Sequence, residues 1–187
     1  MKKIILFGST GFLGSYLTKY LKNSYKLYCF GRSKKTDFNI DLLEKKKLIK
    51  ILSDIKPNII INSIAETNLD HCQKNKKKCY EKNFKVVKNF TSYCSKNKVN
   101  IIQISTDQLY DGDGKNSSEK KIKIQNYYAK TKYLAEKEIL KYNGCVLRTN
   151  FFGYNLAENK GLLNWMIESS KKNKEIKLYN NIYFSPL

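Results

Sequence analysis

The chain has 187 residues, 41% of them hydrophobic, which fits one globular domain long enough to bury a core. No apolar run approaches the ~20 residues of a membrane span, and Ile4-Ile5-Leu6-Phe7 runs into a glycine turn with no cleavage signal, so no membrane partner and a cytoplasmic location are expected. The formal net charge of +20 is nearly all lysine, spread over Lys45 to Lys47, Lys76 to Lys78, Lys120, Lys121, Lys171 and Lys172 instead of one arginine-rich stripe, so no specific nucleic-acid partner is expected.

Strand and helix patterns alternate from the start. Lys3 to Phe7 is a short apolar run ending at glycine, the pattern of a buried parallel strand. Leu13 to Lys22 has helical spacing, with Leu13, Leu17 and Leu21 on one face. Tyr25 to Phe30 is a second strand, stopped by Gly31-Arg32-Ser33, and Asp37 to Ile40 a short third. Leu43 to Ile55 is an amphipathic helix ended by Pro57, and Asn58 to Ile61 a β-branched fourth strand. A lysine-rich helix over Lys76 to Lys96 follows the loop at Ala65 to Gln73.

Val99 to Ile104 is the fifth strand, followed by a polar loop from Asp111 to Gln125, a long helix from Tyr127 to Tyr142 and a sixth strand from Cys145 to Leu147. Leu162 to Lys172 is a last helix, with Leu162, Leu163 and Met166 as core, and Glu175 to Leu187 is extended. Repeated βα units imply an α/β fold, a doubly wound Rossmann-type parallel sheet with helices on both faces. The cysteines, Cys29, Cys72, Cys79, Cys94 and Cys145, form no C-x-x-C pair and read as free thiols. With His71 the one histidine, no metal site is expected.

Gly8-Ser-Thr-Gly11-Phe-Leu-Gly14 lies between the first strand and the first helix, where backbone N–H groups and the helix N-terminus can meet a pyrophosphate. At the end of the second strand an acidic residue would bind a ribose 2′-OH and an arginine a 2′-phosphate. Arg32 stands there, which leans toward NADPH and leaves NADH open.

Tyr128-Ala-Lys-Thr-Lys132 is a Y-x-x-x-K that puts both side chains on one helical face. An ammonium beside a phenol lowers its pKa and makes the tyrosine a usable acid or base. Upstream, Ile104-Ser105-Thr106-Asp107-Gln108 offers a hydroxyl at the end of the fifth strand for a substrate oxygen.

With LFGSTGFLG, IKPNIIINSIAETNLDHC, Asn83, ISTDQLYDG, NYYAKTKYLAE and VLRTNFFG in this order, the chain resembles the extended short-chain dehydrogenase/reductase family. It looks most like the dTDP-4-dehydrorhamnose reductase branch of nucleotide-sugar enzymes, over nearly its whole length. The resemblance implies that Gly8, Gly11, Phe12, Leu13 and Gly14 hold the pyrophosphate, Asp41 and Leu42 flank the adenine, and Ser63, Ile64 and Ala65 line the ribose and nicotinamide. It implies that Thr106 holds the keto oxygen of a nucleotide-sugar, Tyr128 donates its proton, and Lys132 binds the nicotinamide ribose and tunes Tyr128. Asn83 would be a scaffold residue, and Arg148 would serve fold or substrate.

Gln108 stands where the related 4,6-dehydratases carry glutamate, and an amide cannot transfer their proton, so dehydration is disfavoured. The resemblance implies an NADPH-dependent 4-keto-6-deoxysugar reductase of surface polysaccharide synthesis. An epimerase of the same family and a non-catalytic dinucleotide-binding subunit, like the regulatory subunit of methionine adenosyltransferase, stay open as alternatives, and so does a homodimer. Family members continue well beyond the position of Leu187. Residues 1–187 are therefore expected to be one dinucleotide-binding domain, with 151–187 opening a C-terminal substrate lobe that is largely missing.

Overall fold

The structure, a computed structural model, describes residues 1–34, 36–110, 118–155, 161–178 and 180. A six-stranded, wholly parallel sheet has the order β3-β2-β1-β4-β5-β6, with β1 at Lys3–Phe7, β2 at Lys26–Gly31, β3 at Phe38–Asn39, β4 at Ile59–Asn62, β5 at Asn100–Ile104 and β6 at Cys145–Leu147. Ile4 to Phe7 pair residue for residue with Ile59 to Asn62. The strand order reverses between β1 and β4, and a doubly wound sheet opens its ligand crevice at such a switch point, above the strands' C-terminal ends.

The alternation of β1 builds a core on each face. Ile5 and Phe7 join the larger one, under α2 (Lys45–Ile55), α5 (Val86–Lys96) and α6 (Tyr127–Leu140). Ile4 and Leu6 point the other way, toward Leu17 and Leu21 of α1 (Phe12–Leu21). Helices thus cover both faces, as the βα repeats predict. Leu48, Leu52 and Ile55 recur at helical spacing on α2, and Lys56, left-handed at φ 51°, ends that helix before Pro57.

Three expectations change. The lysine-rich helix is not continuous: α3 (Leu69–Lys74), α4 (Lys76–Tyr80), a π-helical turn (Glu81–Lys85) and α5 follow one another. The wide turn carries the buried Asn83, whose amide bonds Glu66, Cys79 and Thr131. In α7 (Leu162–Lys171) Leu162 is exposed and Asn164 and Ser169 are buried, because the Asn164 side chain pairs with the Asn155 backbone and turns that face inward. Cys72 and Cys79 are joined as a disulfide across α3 and α4, with Cα atoms 5.1 Å apart, and Cys29, Cys94 and Cys145 are free. Part of the polar loop, 111–117, and the end of the extended tail, 181–187, lie outside the described residues.

Candidate active site

After β1 the chain turns tightly, with Gly8 N–H donating to the Phe30 carbonyl (3.1 Å) and Gly11 N–H to the Gly8 carbonyl (3.0 Å). Gly8 has φ +85°, and a Cβ there would stand 2.8 Å from Ser63 Oγ, so only glycine suits the position. Gly14 is needed for packing: it is buried in α1, where a Cβ would strike the Gly8 carbonyl. Gly11 caps α1 without a side-chain bond, and no acidic residue occupies the first turn. The leading N–H groups of the helix are left to attract an anion.

A cavity of about 840 Å³ opens over the switch point and collects Gly8, Gly11, Arg32, Asp41, Leu42, Ser63, Ile64 and Ala65, eight of the residues read from the sequence. It adds Thr10 and Ser33 of the turns already named, and Glu66, His71, Lys78 and Lys82, whose polar side chains look like solvated surface in a lysine-rich chain. Lys82 Nζ bonds Glu66 at 3.1 Å, and His71 Nδ1 lies 3.7 Å from the same carboxylate oxygen. Burial pushes the Glu66 carboxyl up, but Lys82, the Asn68 N–H and His71 outweigh it and hold it below its ordinary value.

Phe12 and Leu13 line a second cavity of about 280 Å³, shared with Tyr16, Phe151, Phe152 and Gly153. Neither they nor Gly14 line the large one.

Thr106, Tyr128 and Lys132 come together where β5 meets α6, 5%, 7% and 3% exposed, and line neither cavity. Asn126 caps α6 by accepting from Ala129 N–H (2.8 Å) and donates to Gln108 Oε1 (3.1 Å), tying the helix start to the strand end. Thr106 Oγ1 accepts from Gln108 N–H at 3.2 Å, and the Thr106 hydroxyl lies near enough to Tyr128 to favour its phenolate.

The expectation that lysine lowers the phenol's pKa is not met here. Burial raises Tyr128, the nearby Thr106 hydroxyl pulls it down and Asp107 raises it again, for a net rise. Lys132 Nζ is turned to the Ile104 carbonyl at 2.6 Å, and burial lowers its own pKa to about 8 against the pull of Glu136. The arrangement keeps a protonated phenol beside a hydroxyl, with a cation one helical turn away, groups that can donate a proton and hydrogen-bond an oxygen.

Arg148 serves the fold. Its Nε and Nη2 donate to Glu136 at 3.0, 3.1 and 2.7 Å, and this pairing keeps the guanidinium firmly charged. Asn83 is the scaffold residue that the resemblance implies: it accepts from Glu66 N–H at 2.6 Å and donates to the Glu66 carbonyl and Thr131. Among the described residues no helix is long and apolar enough to cross a membrane, and no three His, Cys, Asp or Glu side chains are grouped to hold a metal ion.

The model of the RmlD substrate binding domain family matches residues 1–186. The chain belongs to that family. This bears out the resemblance to the nucleotide-sugar reductase and epimerase branch.

Relatives of this RmlD-family chain include a dTDP-4-dehydrorhamnose reductase of Aggregatibacter actinomycetemcomitans, 27% identical over 87% of this chain and 60% of that protein. Another is methionine adenosyltransferase 2 subunit beta of Rattus norvegicus, 25% identical over 76% of this chain and 44% of that protein. A solved dTDP-4-dehydrorhamnose reductase of Bacillus anthracis, in complex with NADP, superposes with TM-score 0.81 and 25% identity over 94% of this chain and 62% of that one. The chain spans about 60% of the length of that first reductase.

Proposed function

We propose that residues 1–187 are the dinucleotide-binding domain, and 151–187 the opening of the substrate-binding region, of an NADPH-dependent reductase of a nucleotide-activated 4-keto-6-deoxysugar. The observation that carries this reading is the buried Tyr128–Thr106 pair at the end of β5, with Lys132 on the same helical face. The residues present fit the cofactor: Gly8 and Gly11 line the cavity before a helix N-terminus with no side-chain cap, where a pyrophosphate would sit, and Arg32 stands at the cavity wall for a 2′-phosphate. The NADP complex of the Bacillus anthracis reductase supports that choice.

When bound, NADPH supplies the hydride. Thr106 holds the sugar's C4 oxygen, Tyr128 gives it the phenol proton, and Lys132, on the same face of α6, would hold the nicotinamide ribose. The raised pKa of Tyr128 suits a donor, since the phenol is still protonated at neutral pH. Gln108, which accepts from Asn126, is an amide and cannot transfer a proton as a carboxyl group does, which favours reduction over dehydration. The step belongs to surface polysaccharide synthesis in the cytoplasm, with the nucleotide-sugar as the partner.

The match to the methionine adenosyltransferase beta subunit favours a second reading, a non-catalytic dinucleotide-binding subunit. Titration with NADPH followed by dTDP-4-dehydrorhamnose separates the two. Binding with oxidation supports the reductase, and binding without oxidation of any keto-sugar nucleotide overturns it.

A further inference from the structure

Tyr128, Lys132 and Glu136 follow one another at four-residue steps, so their side chains form one stripe along α6. The proposed proton transfer uses the first two and leaves the third, which is 1% exposed. Glu136 Oε1 accepts from Ser105 Oγ at 2.5 Å, and both carboxylate oxygens accept from Arg148. Arg148 is held in turn by the Glu119 carbonyl (2.9 Å) and lies 5.2 Å over the Tyr110 ring. Lys132 and Glu136 therefore grip consecutive residues of one strand end, the Ile104 carbonyl and the Ser105 hydroxyl, immediately before Thr106. Ser105 N–H donates to the Leu147 carbonyl at 2.7 Å, which locks the ends of β5 and β6 at the level of this carboxylate.

A buried ion pair gains little net stability over apolar groups of the same volume, whereas its directional bonds fix position. We infer that Glu136 is the positioning residue of the site: it holds α6 in register with the ends of β5 and β6, and so sets Tyr128 and Lys132 against Thr106. The inference rests on the proposed reading of Tyr128 and Lys132 as the proton-donating pair.

It has an electrostatic consequence. Glu136, on the same helix, acts on Lys132 and is itself paired with Arg148 from the end of β6, while Asp107 acts on Tyr128 from the turn after β5. Glu136 is the one that favours the ammonium against its burial.

The test follows the Cε shift of Lys132 with pH in the whole chain labelled with 13Cε-lysine, the resonance being assigned by its loss in Lys132→Arg. Glu136→Gln is expected to lower the Lys132 midpoint by about one pH unit, and Glu136→Asp, which keeps the charge, to hold it near the wild-type value. Equal midpoints in wild type and Glu136→Gln, or the same fall in both variants, overturn the role. The charge of Glu136 alone would give these shifts, so Ser105→Ala, which cuts the strand-end grip and keeps that charge, is measured beside them. A displaced Lys132 resonance at neutral pH then supports the inference, and an unmoved one overturns it. No dinucleotide or sugar enters this titration, so its outcome is independent of whether the chain reduces a keto-sugar.

Discussion

Lys132 donates to the Ile104 carbonyl at 2.6 Å, so the cation braces the strand end that leads to Thr106. Burial lowers its pKa from 10.5 to about 8 in the folded chain. Between these values the unfolded chain binds more protons, so Lys132 makes stability rise with pH across that window and penalises the fold below it. Melting of wild type and Lys132→Met from pH 7 to pH 10 checks this. The variant's advantage, or the reduction of its deficit, is expected to be greatest at pH 7 and to decline toward pH 10.

Tyr128→Phe removes the proton donor and leaves the large cavity untouched, because Tyr128 does not line it. Turnover of a keto-sugar nucleotide is expected to fall about 10²- to 10⁴-fold. NADPH affinity, read by fluorescence titration, is expected to stay within a few-fold of wild type.

Arg32 is exposed at the cavity wall just after β2. Arg32→Ala is expected to weaken NADPH by roughly ten- to a hundredfold, the worth of hydrogen bonds to a charged group, and to leave NADH nearly unchanged. Parallel titrations with both dinucleotides measure the difference.

Gly14→Ala puts a methyl group into the Gly8 carbonyl, where backbone must give way. The expected loss is about 1–3 kcal/mol in denaturant unfolding, with weaker dinucleotide binding because the turn moves with the helix.

The disulfide predicts a count. Alkylation of the unfolded chain without reductant is expected to label Cys29, Cys94 and Cys145, and labelling of Cys72 and Cys79 is expected only after reduction. Mass spectrometry of the peptides reads the result.

The parallel sheet is legible in the sequence because Ile4 to Phe7 and Ile59 to Ile61 are apolar runs that only a strand buried on both faces can use. Four-residue spacing places Tyr128 and Lys132 on one face, and glycine spacing places the turn. Glu136 and Arg148 are harder to see, since a carboxylate on a lysine-rich helix resembles solvated surface until tertiary packing closes over it. The Cys72–Cys79 pair lacks a motif spacing, and the π-helical turn at Asn83 interrupts a helix whose local propensity continues. The direction of the Tyr128 shift depends on where Lys132 points, which helical spacing does not determine.

The most direct measurement is NADPH titration of the chain by fluorescence, followed in the same cuvette by oxidation on adding dTDP-4-dehydrorhamnose. Saturable NADPH binding and substrate-dependent loss of the reduced nicotinamide signal are expected. Absence of binding would contradict the reading of the glycine turn, and binding with no oxidation of any keto-sugar nucleotide would contradict the reductase.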